Sequence, residues 1–228
     1  MNESASTSPS VSPGPSRQIF IVDDHPLVRE SLAALINRQP DLRVCGQAGD
    51  SASAYAALDR APADVVVVDL SLPGESGLEL IKRLQALTPR PRILVVSMHD
   101  EAFYAERALR AGALGYIMKH ETTDKVIDAI RHILQDQLFV SSRVAAQFTG
   151  KFVGTRKVQP GSSVERLSDR ELDIFRLIGH GLESKRIAQD LHLSVKTVQA
   201  HCANIKEKLG LENLNELIRE AVRWVERG

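Results

Sequence analysis

At 228 residues, 43% apolar and 25% charged, the chain can form one large domain or two small ones with ample core. Its 29 basic and 29 acidic residues exclude a uniformly electropositive protein, so any nucleic-acid contact must come from local patterning. Cys45 and Cys202, one in each half, exclude a disulfide scaffold and read as reduced, mostly buried thiols of a cytoplasmic protein. No apolar run nears the ~20 residues of a membrane span, and the amino terminus lacks the basic-then-apolar order of a secretory signal.

Residues 1–16 are rich in Ser, Pro and Thr and read as a disordered extension. From residue 17 to 137 a strand-then-helix alternation repeats five times. Strands are expected at Gln18–Val22, Arg43–Gln47, Val65–Asp69, Ile93–Ser97 and Gly115–Met118. Helices follow at Pro26–Gln39, Ser51–Arg60, Gly77–Leu87, Ala102–Ala111 and Thr123–Asp136. Short connections between alternating periods mean a parallel sheet covered on both faces, here of the α/β, flavodoxin-like doubly wound kind with five strands.

The run Val65-Val66-Val67-Val68-Asp69 is a strand buried on both faces that ends in a carboxylate. The carboxyl ends of such strands are where open α/β sheets carry their chemistry. The first strand ends in Asp23 and Asp24. In the expected order it neighbours the third, so these acids converge with Asp69 on one edge. Crowded like charges raise one another's pKa unless a cation neutralises them, and a hard divalent ion such as Mg²⁺ suits an all-oxygen set. Ser97 ends the fourth strand, and Lys119 follows the fifth as a cation aimed at the same rim. Asp69 reads as a nucleophile for a phosphoryl group whose oxygens the metal and Lys119 would hold. His25 and His99 read as polar residues behind the rim rather than as ligands.

With these residues, positions 18–137 resemble the receiver domains of two-component response regulators. The resemblance implies that Asp69 is the phosphoacceptor for a sensor histidine kinase. It implies Mg²⁺ on Asp24, Asp69 and the Ser71 backbone carbonyl, with Asp23 acting through water. Ser97 and Tyr116 resemble the family's switch pair, and Lys119 its phosphate-binding lysine. The chain departs from the common pattern at Leu72, Ser76 and His120, which bears on loop packing and phosphate lifetime.

Residues 138–163 lose periodicity and read as a linker, with a short helix expected over Ser142–Phe148. Residues 164–228 contain no strand pattern and read as an all-α unit of four helices. Ser168 and Glu171 form a capping box, with Leu167 and Leu172 as its hydrophobic staple. Gly179 and Gly181 close that helix, and Ser184–Leu191, Val195–Leu209 and Leu214–Arg227 follow. Val195, Val198, Cys202, Ile205 and Leu209 are expected on one buried face. The other face carries Lys196, Thr197, Gln199, Ala200, His201, Ala203, Asn204 and Lys208, short side chains suited to a major groove. In the last helix Leu214, Leu217, Ile218, Ala221, Val222 and Val225 form a stripe with surplus for a dimer contact.

Leu167-Ser168-Asp169-Arg170-Glu171, Lys185-Arg186-Ile187-Ala188, Leu193 to Val198 and Ile205 to Leu209 resemble the NarL/FixJ, LuxR-type helix-turn-helix. The resemblance implies double-stranded DNA as partner, with Lys196, Thr197, Lys206 and Lys208 on phosphates and residues Gln199 to Ala203 facing bases. It further implies a homodimer when phosphorylated or DNA-bound, and RNA polymerase as a further partner. Gln199 replaces a common Lys or Arg. Two other classes remain: an aspartyl phosphatase or phosphotransferase, and a switch that binds only protein. The position two after Asp69, where such phosphatases usually carry an acid, is Ser71. The reading is therefore a phosphorylation-controlled transcription factor and not an enzyme.

Overall fold

The fold was obtained as a computed structural model, which describes residues 16–121, 123–146 and 163–226. The extension expected to be disordered lies, except for Ser16, outside the described residues, as does most of the linker. Strands β1 (Arg17–Val22), β2 (Leu42–Ala48), β3 (Val65–Val68), β4 (Arg92–Ser97) and β5 (Gly115–Met118) form one parallel sheet in the order β2-β1-β3-β4-β5. Helices α1 (Pro26–Asn37), α2 (Ser51–Arg60), α3 (Gly77–Leu84), α4 (Glu101–Ala111) and α5 (Thr123–Leu134) alternate with them. Period-two alternation splits the strands between two cores. Ile19, Ile21, Val65, Val67 and Leu94 face α1 and α5, whereas Phe20, Val22, Val66, Val68 and Val95 face α2, α3 and α4. All four β3 valines are therefore buried, each contributing about 1.5–3 kcal/mol of burial.

The segment expected to begin the linker is packed against the receiver-like unit. Phe139 N–H donates to the Leu114 carbonyl and Tyr116 N–H to that of Phe139, both at 2.9 Å, and Val144 is buried. A helical turn covers residues 142–146; positions 147 and 148 of the expected short helix lie outside the described residues.

After a 3₁₀ turn at Ser163–Arg166 come α6 (Asp169–Gly179), α7 (Ser184–Asp190), α8 (Val195–Leu209) and α9 (Leu214–Glu226). The α6 capping box forms as its sequence requires, with Ser168 N–H donating to Glu171 Oε2 at 2.7 Å. Ser194 caps α8 by accepting from Thr197 N–H at 3.0 Å. The buried stripe of α8 is narrower than expected, whereas α9 leaves apolar residues uncovered as its expected surplus requires. Val198, Cys202 and Ile205 are buried in α8, but Val195 is 40% exposed; in α9, Leu217 and Ala221 are buried while Leu214 and Ile218 remain open. An apolar stripe wider than the neighbouring helix leaves its margin in water. Cys45 is likewise exposed rather than buried.

The helical unit is docked on the α/β unit. Tyr104 of α4 donates to Asp173 Oδ1 of α6 at 2.7 Å, and Phe103 lies 4.2 Å from Trp224 between ring centroids. Arg107 reaches the Leu167 carbonyl at 2.8 Å and Asp169 Oδ1 at 3.0 Å.

Candidate functional site: a carboxylate pocket and a helix-turn-helix face

Pairing of β1 with β3, Val22 opposite Val68, brings the next residues of both strands to one rim. Asp23, Asp24 and Asp69 converge there together with His25, one ligand atom of each lying within 4.8 Å of the others. Asp23 and Asp69 are each 2% exposed. Lys119 arrives from the end of β5, its Nζ 2.6 Å from Asp23 Oδ2 and 2.7 Å from Asp69 Oδ2. A single ammonium thus bridges two buried acids.

Burial raises the Asp69 pKa, and the Lys119 charge only partly offsets it. For Lys119 burial acts downward but Asp69 and Asp23 outweigh it, so its pKa is raised and it stays charged. Asp69 Oδ1 is buried with no hydrogen-bond partner among the described residues. An orphaned carboxylate oxygen facing two further acids is what an oxygen-ligating divalent cation satisfies, so this donor set fits Mg²⁺. His25 Nδ1 lies 2.6 Å from Asp24 Oδ1, and its side chain is largely exposed.

Ser97 is fully buried beside the pocket, its hydroxyl accepting from His99 N–H at 3.3 Å. Tyr116 is already turned inward: its hydroxyl donates to the His99 carbonyl at 2.8 Å, and burial raises its pKa. The pair expected to move in concert is therefore joined through His99. Sequence reading placed His99 only near the rim. The structure buries its ring, sets Nε2 3.1 Å from Ser71 Oγ and stacks it on Tyr104 at 4.4 Å between centroids. Desolvation, with Arg176 and Lys119 adding to it, lowers the His99 pKa to about 3, so the ring is neutral. Ser76, noted only as a departure, caps α3 by accepting from Glu79 N–H.

On α8, Lys196, Gln199, Ala200, Ala203 and Asn204 are exposed, while Thr197, His201 and Lys206 are half-buried. Docking leaves this face open. Two residues expected on DNA have other partners here. Thr197 Oγ1 lies 2.7 Å from Ser194 Oγ, and Lys208 Nζ is 2.6 Å from Glu171 Oε2. Lys208 thereby neutralises the buried acid of the α6 capping box.

Residues 19–131 match the response regulator receiver domain, and residues 165–221 match the bacterial regulatory proteins of the luxR family. The Fimbriae Z protein of Salmonella typhimurium is 38% identical over 201 residues, 88% of this chain and 93% of that protein. The oxygen regulatory protein NreC of Staphylococcus epidermidis is 36% identical over 211 residues, 90% of this chain and 97% of that protein. Among solved structures, RcsB of Salmonella enterica serovar Typhimurium, bound to promoter rprA in the presence of phosphomimetic BeF₃⁻, has a TM-score of 0.60. It is 25% identical, the match covering 90% of this chain and 98% of that one. A LuxR-family two-component response regulator from Aurantimonas sp. has a TM-score of 0.56 and 34% identity over 61% of this chain and 99% of that one. With a receiver fold, an acid pocket at its strand ends and a helix-turn-helix in one chain, this protein belongs to the LuxR-type two-component response regulators, which act as transcription regulators.

Proposed function

We propose that Asp69 is the phosphoacceptor, taking a phosphoryl group from the phosphohistidine of a sensor kinase, and that the acyl phosphate controls DNA binding through α8. A carboxylate oxygen would attack phosphorus as the phosphorus–nitrogen bond to imidazole breaks, leaving an acyl phosphate and a neutral or protonated imidazole. The observation that carries this reading is the Lys119 bridge between Asp69 and Asp23 at the end of β3. It favours the ionised form of a buried nucleophile and sets beside it a cation able to follow the transferred oxygens.

Asp24, Asp69 and the Ser71 carbonyl would hold Mg²⁺, with Asp23 acting through water. Bound there, the metal supplies charge neutralisation for the incoming oxygens. Ser97, beside the acceptor and tied to the His99 segment, would sense the phosphoryl, with Tyr116 fixing that segment by its bond to the His99 carbonyl. Lys196 and Lys206 would contact phosphates, and Gln199, Ala200, His201, Ala203 and Asn204 face base edges. A homodimer on paired half-sites is the assembly this implies, as in the two RcsB dimers bound to two parallel DNAs.

No described helix is long and apolar enough to cross a membrane, which agrees with a cytoplasmic place of action. The domain limits we adopt are 17–137 for the receiver and 164–228 for the helix-turn-helix. The test is phosphoryl uptake from a small phosphodonor with Mg²⁺ present. Asp69→Asn should take up none, and label retained in that variant would exclude Asp69. A mobility shift on duplex DNA should weaken as salt rises, whereas a protein-only switch gives no shift.

A further inference from the structure

His25 stands at a place in the chain that ordinarily takes another kind of residue. It is the N-cap of α1, a position that favours Ser, Thr, Asp or Asn because their side-chain oxygen accepts from the first free N–H groups of the helix. His25 makes no such bond. Pro26 follows it as the first residue of α1 and keeps residue 25 extended, at φ −88° and ψ 110°. The ring is turned to the acids instead, with Nδ1 2.6 Å from Asp24 Oδ1 and 3.4 Å from Asp23 Oδ1. The proposed phosphoryl transfer leaves this imidazole without a role.

The polar atoms of the rim divide into those that are satisfied and those that are not. Asp23 Oδ1 accepts from the His25 main-chain N–H at 2.9 Å, and Asp23 Oδ2 meets Lys119 Nζ at 2.6 Å. Asp69 gives Oδ2 to the same ammonium at 2.7 Å. Its Oδ1, on a residue 2% exposed, has no hydrogen-bond partner among the described residues. The Asp24 Oδ1 atom is buried and also lacks one, although His25 Nδ1 lies 2.6 Å away. At that distance the two atoms are not aligned as donor and acceptor of a hydrogen bond; they stand as two ligand atoms of one ion do. Asp24, His25 and Asp69 are thus left with one ligand atom each for a shared cation, all within 4.8 Å of one another.

We propose that His25 Nδ1 joins Asp24 and Asp69 in holding a divalent ion, so that the rim takes borderline first-row ions such as Zn²⁺ as well as Mg²⁺. Two carboxylates alone are a hard oxygen set, which suits Mg²⁺. An imidazole nitrogen adds little to the binding of Mg²⁺ and much to that of Zn²⁺ or Ni²⁺. The His25 side chain is largely exposed, so an ion can reach it from solvent. The proposal rests on the reading of Asp24 and Asp69 as ligands of a divalent ion, and not on phosphoryl uptake.

The test is titration calorimetry on the full chain with Zn²⁺ and Mg²⁺ as separate probes. His25→Ser removes the imidazole and supplies a favoured N-cap, so α1 should hold; His25→Gln is the second variant, and melts without metal check that both fold. Zn²⁺ affinity should fall about ten-fold or more in each, since loss of even an outer-shell partner costs that much, while Mg²⁺ affinity stays unchanged. Asp24→Asn should weaken both ions. In protein labelled with ¹⁵N-histidine, Zn²⁺ should shift one ring-nitrogen resonance that is absent from His25→Ser, and Mg²⁺ should shift none. Unchanged Zn²⁺ affinity in the His25 variants would overturn the proposal and leave His25 as a surface partner of Asp24. Equal losses for Zn²⁺ and Mg²⁺ would also overturn it, since the ring would then only position the acids. Zn²⁺ binding that survives Asp24→Asn while Mg²⁺ binding does not would place the zinc elsewhere and overturn it too. If neither ion responds to Asp24→Asn, the divalent-ion reading of this rim itself fails, and the role of His25 with it.

Discussion

Gly77 lies against the main chain of Asp69 so closely that a Cβ on it would come within 2.2 Å of the Asp69 carbonyl oxygen and 2.7 Å of Leu70 Cα. Both obstacles are backbone and cannot rotate away. The first residue of α3 thus pins the carbonyl of the acceptor, and Gly77 N–H donates to the Leu70 carbonyl at 3.0 Å. Gly77→Ala should displace the end of β3, lower stability by about 1–3 kcal/mol, and slow Asp69 labelling. Urea unfolding beside the labelling assay checks this, and a variant with normal stability and rate would contradict it.

Among the described residues, Lys119 is the one lysine or arginine whose side chain pairs with the carboxylates of both Asp23 and Asp69. Lys119→Met should leave two buried acids unpaired and cost about 3 kcal/mol at neutral pH. A divalent ion that binds only the folded state then recovers part of the loss. Thermal melts with and without Mg²⁺ should show a larger gain in Lys119→Met than in wild type. Adding Asp24→Asn should abolish the gain, and equal gains in all three would argue against a metal at this rim.

Lys196 and Lys208 lie on the same helix but should fail in different ways. Lys196 is exposed, so Lys196→Ala should keep its melting point, weaken DNA binding evenly across sequences and reduce the salt slope by about one. Lys208 supports buried Glu171, where burial alone would raise the carboxyl pKa and Lys208 and Ser168 more than reverse it. Lys208→Ala should therefore cost the helical domain about 1–3 kcal/mol. Paired melts and mobility shifts separate the two. Undiminished stability in Lys208→Ala would return that residue to the DNA face.

Asp173 makes docking depend on pH. Burial pushes its pKa up to about 6, against the pull of Tyr104, Arg176 and Arg170. In the released domain it becomes a solvated carboxylate near 3.9. The docked state then binds the proton more tightly, so docking is weakest above pH 6 and strengthens as pH falls from 6 toward 4. Between about pH 7.5 and 5.5 the closed-to-open ratio should rise roughly four-fold. His99, neutral over this range, and Asp169, which also faces the site, leave the direction unchanged. Scattering of wild type against Asp173→Asn checks it: the pH response should vanish in the variant, and an equal response in both would assign it elsewhere.

The sheet, its order and the meeting of Asp23, Asp24, Asp69, Ser97 and Lys119 were legible because strand-end chemistry follows from local pattern. Four consecutive valines allow only a doubly buried strand, and the residue after them must reach the rim. The capping box of α6 and the Ser194 cap of α8 were legible for the same reason, since each is satisfied within a few residues. Harder to see was which side chains are already spoken for. Lys208 and Asn204 occupy the same expected surface, and only the approach of Glu171 from another helix separates them. Nothing in the local sequence pattern singles out Tyr104 or Asp173, because each acquires its partner only across the domain boundary.

By itself, then, the sequence determined the two folds, the acid pocket and the face of α8, because hydrophobic period, caps and strand ends are set by neighbours along the chain. The tertiary structure decided what lies between them: the inward Tyr116, the neutral His99 ring and the Tyr104–Asp173 bond across the domain boundary. These are pairings between residues up to 69 positions apart, and burial alone fixes their protonation and their partners.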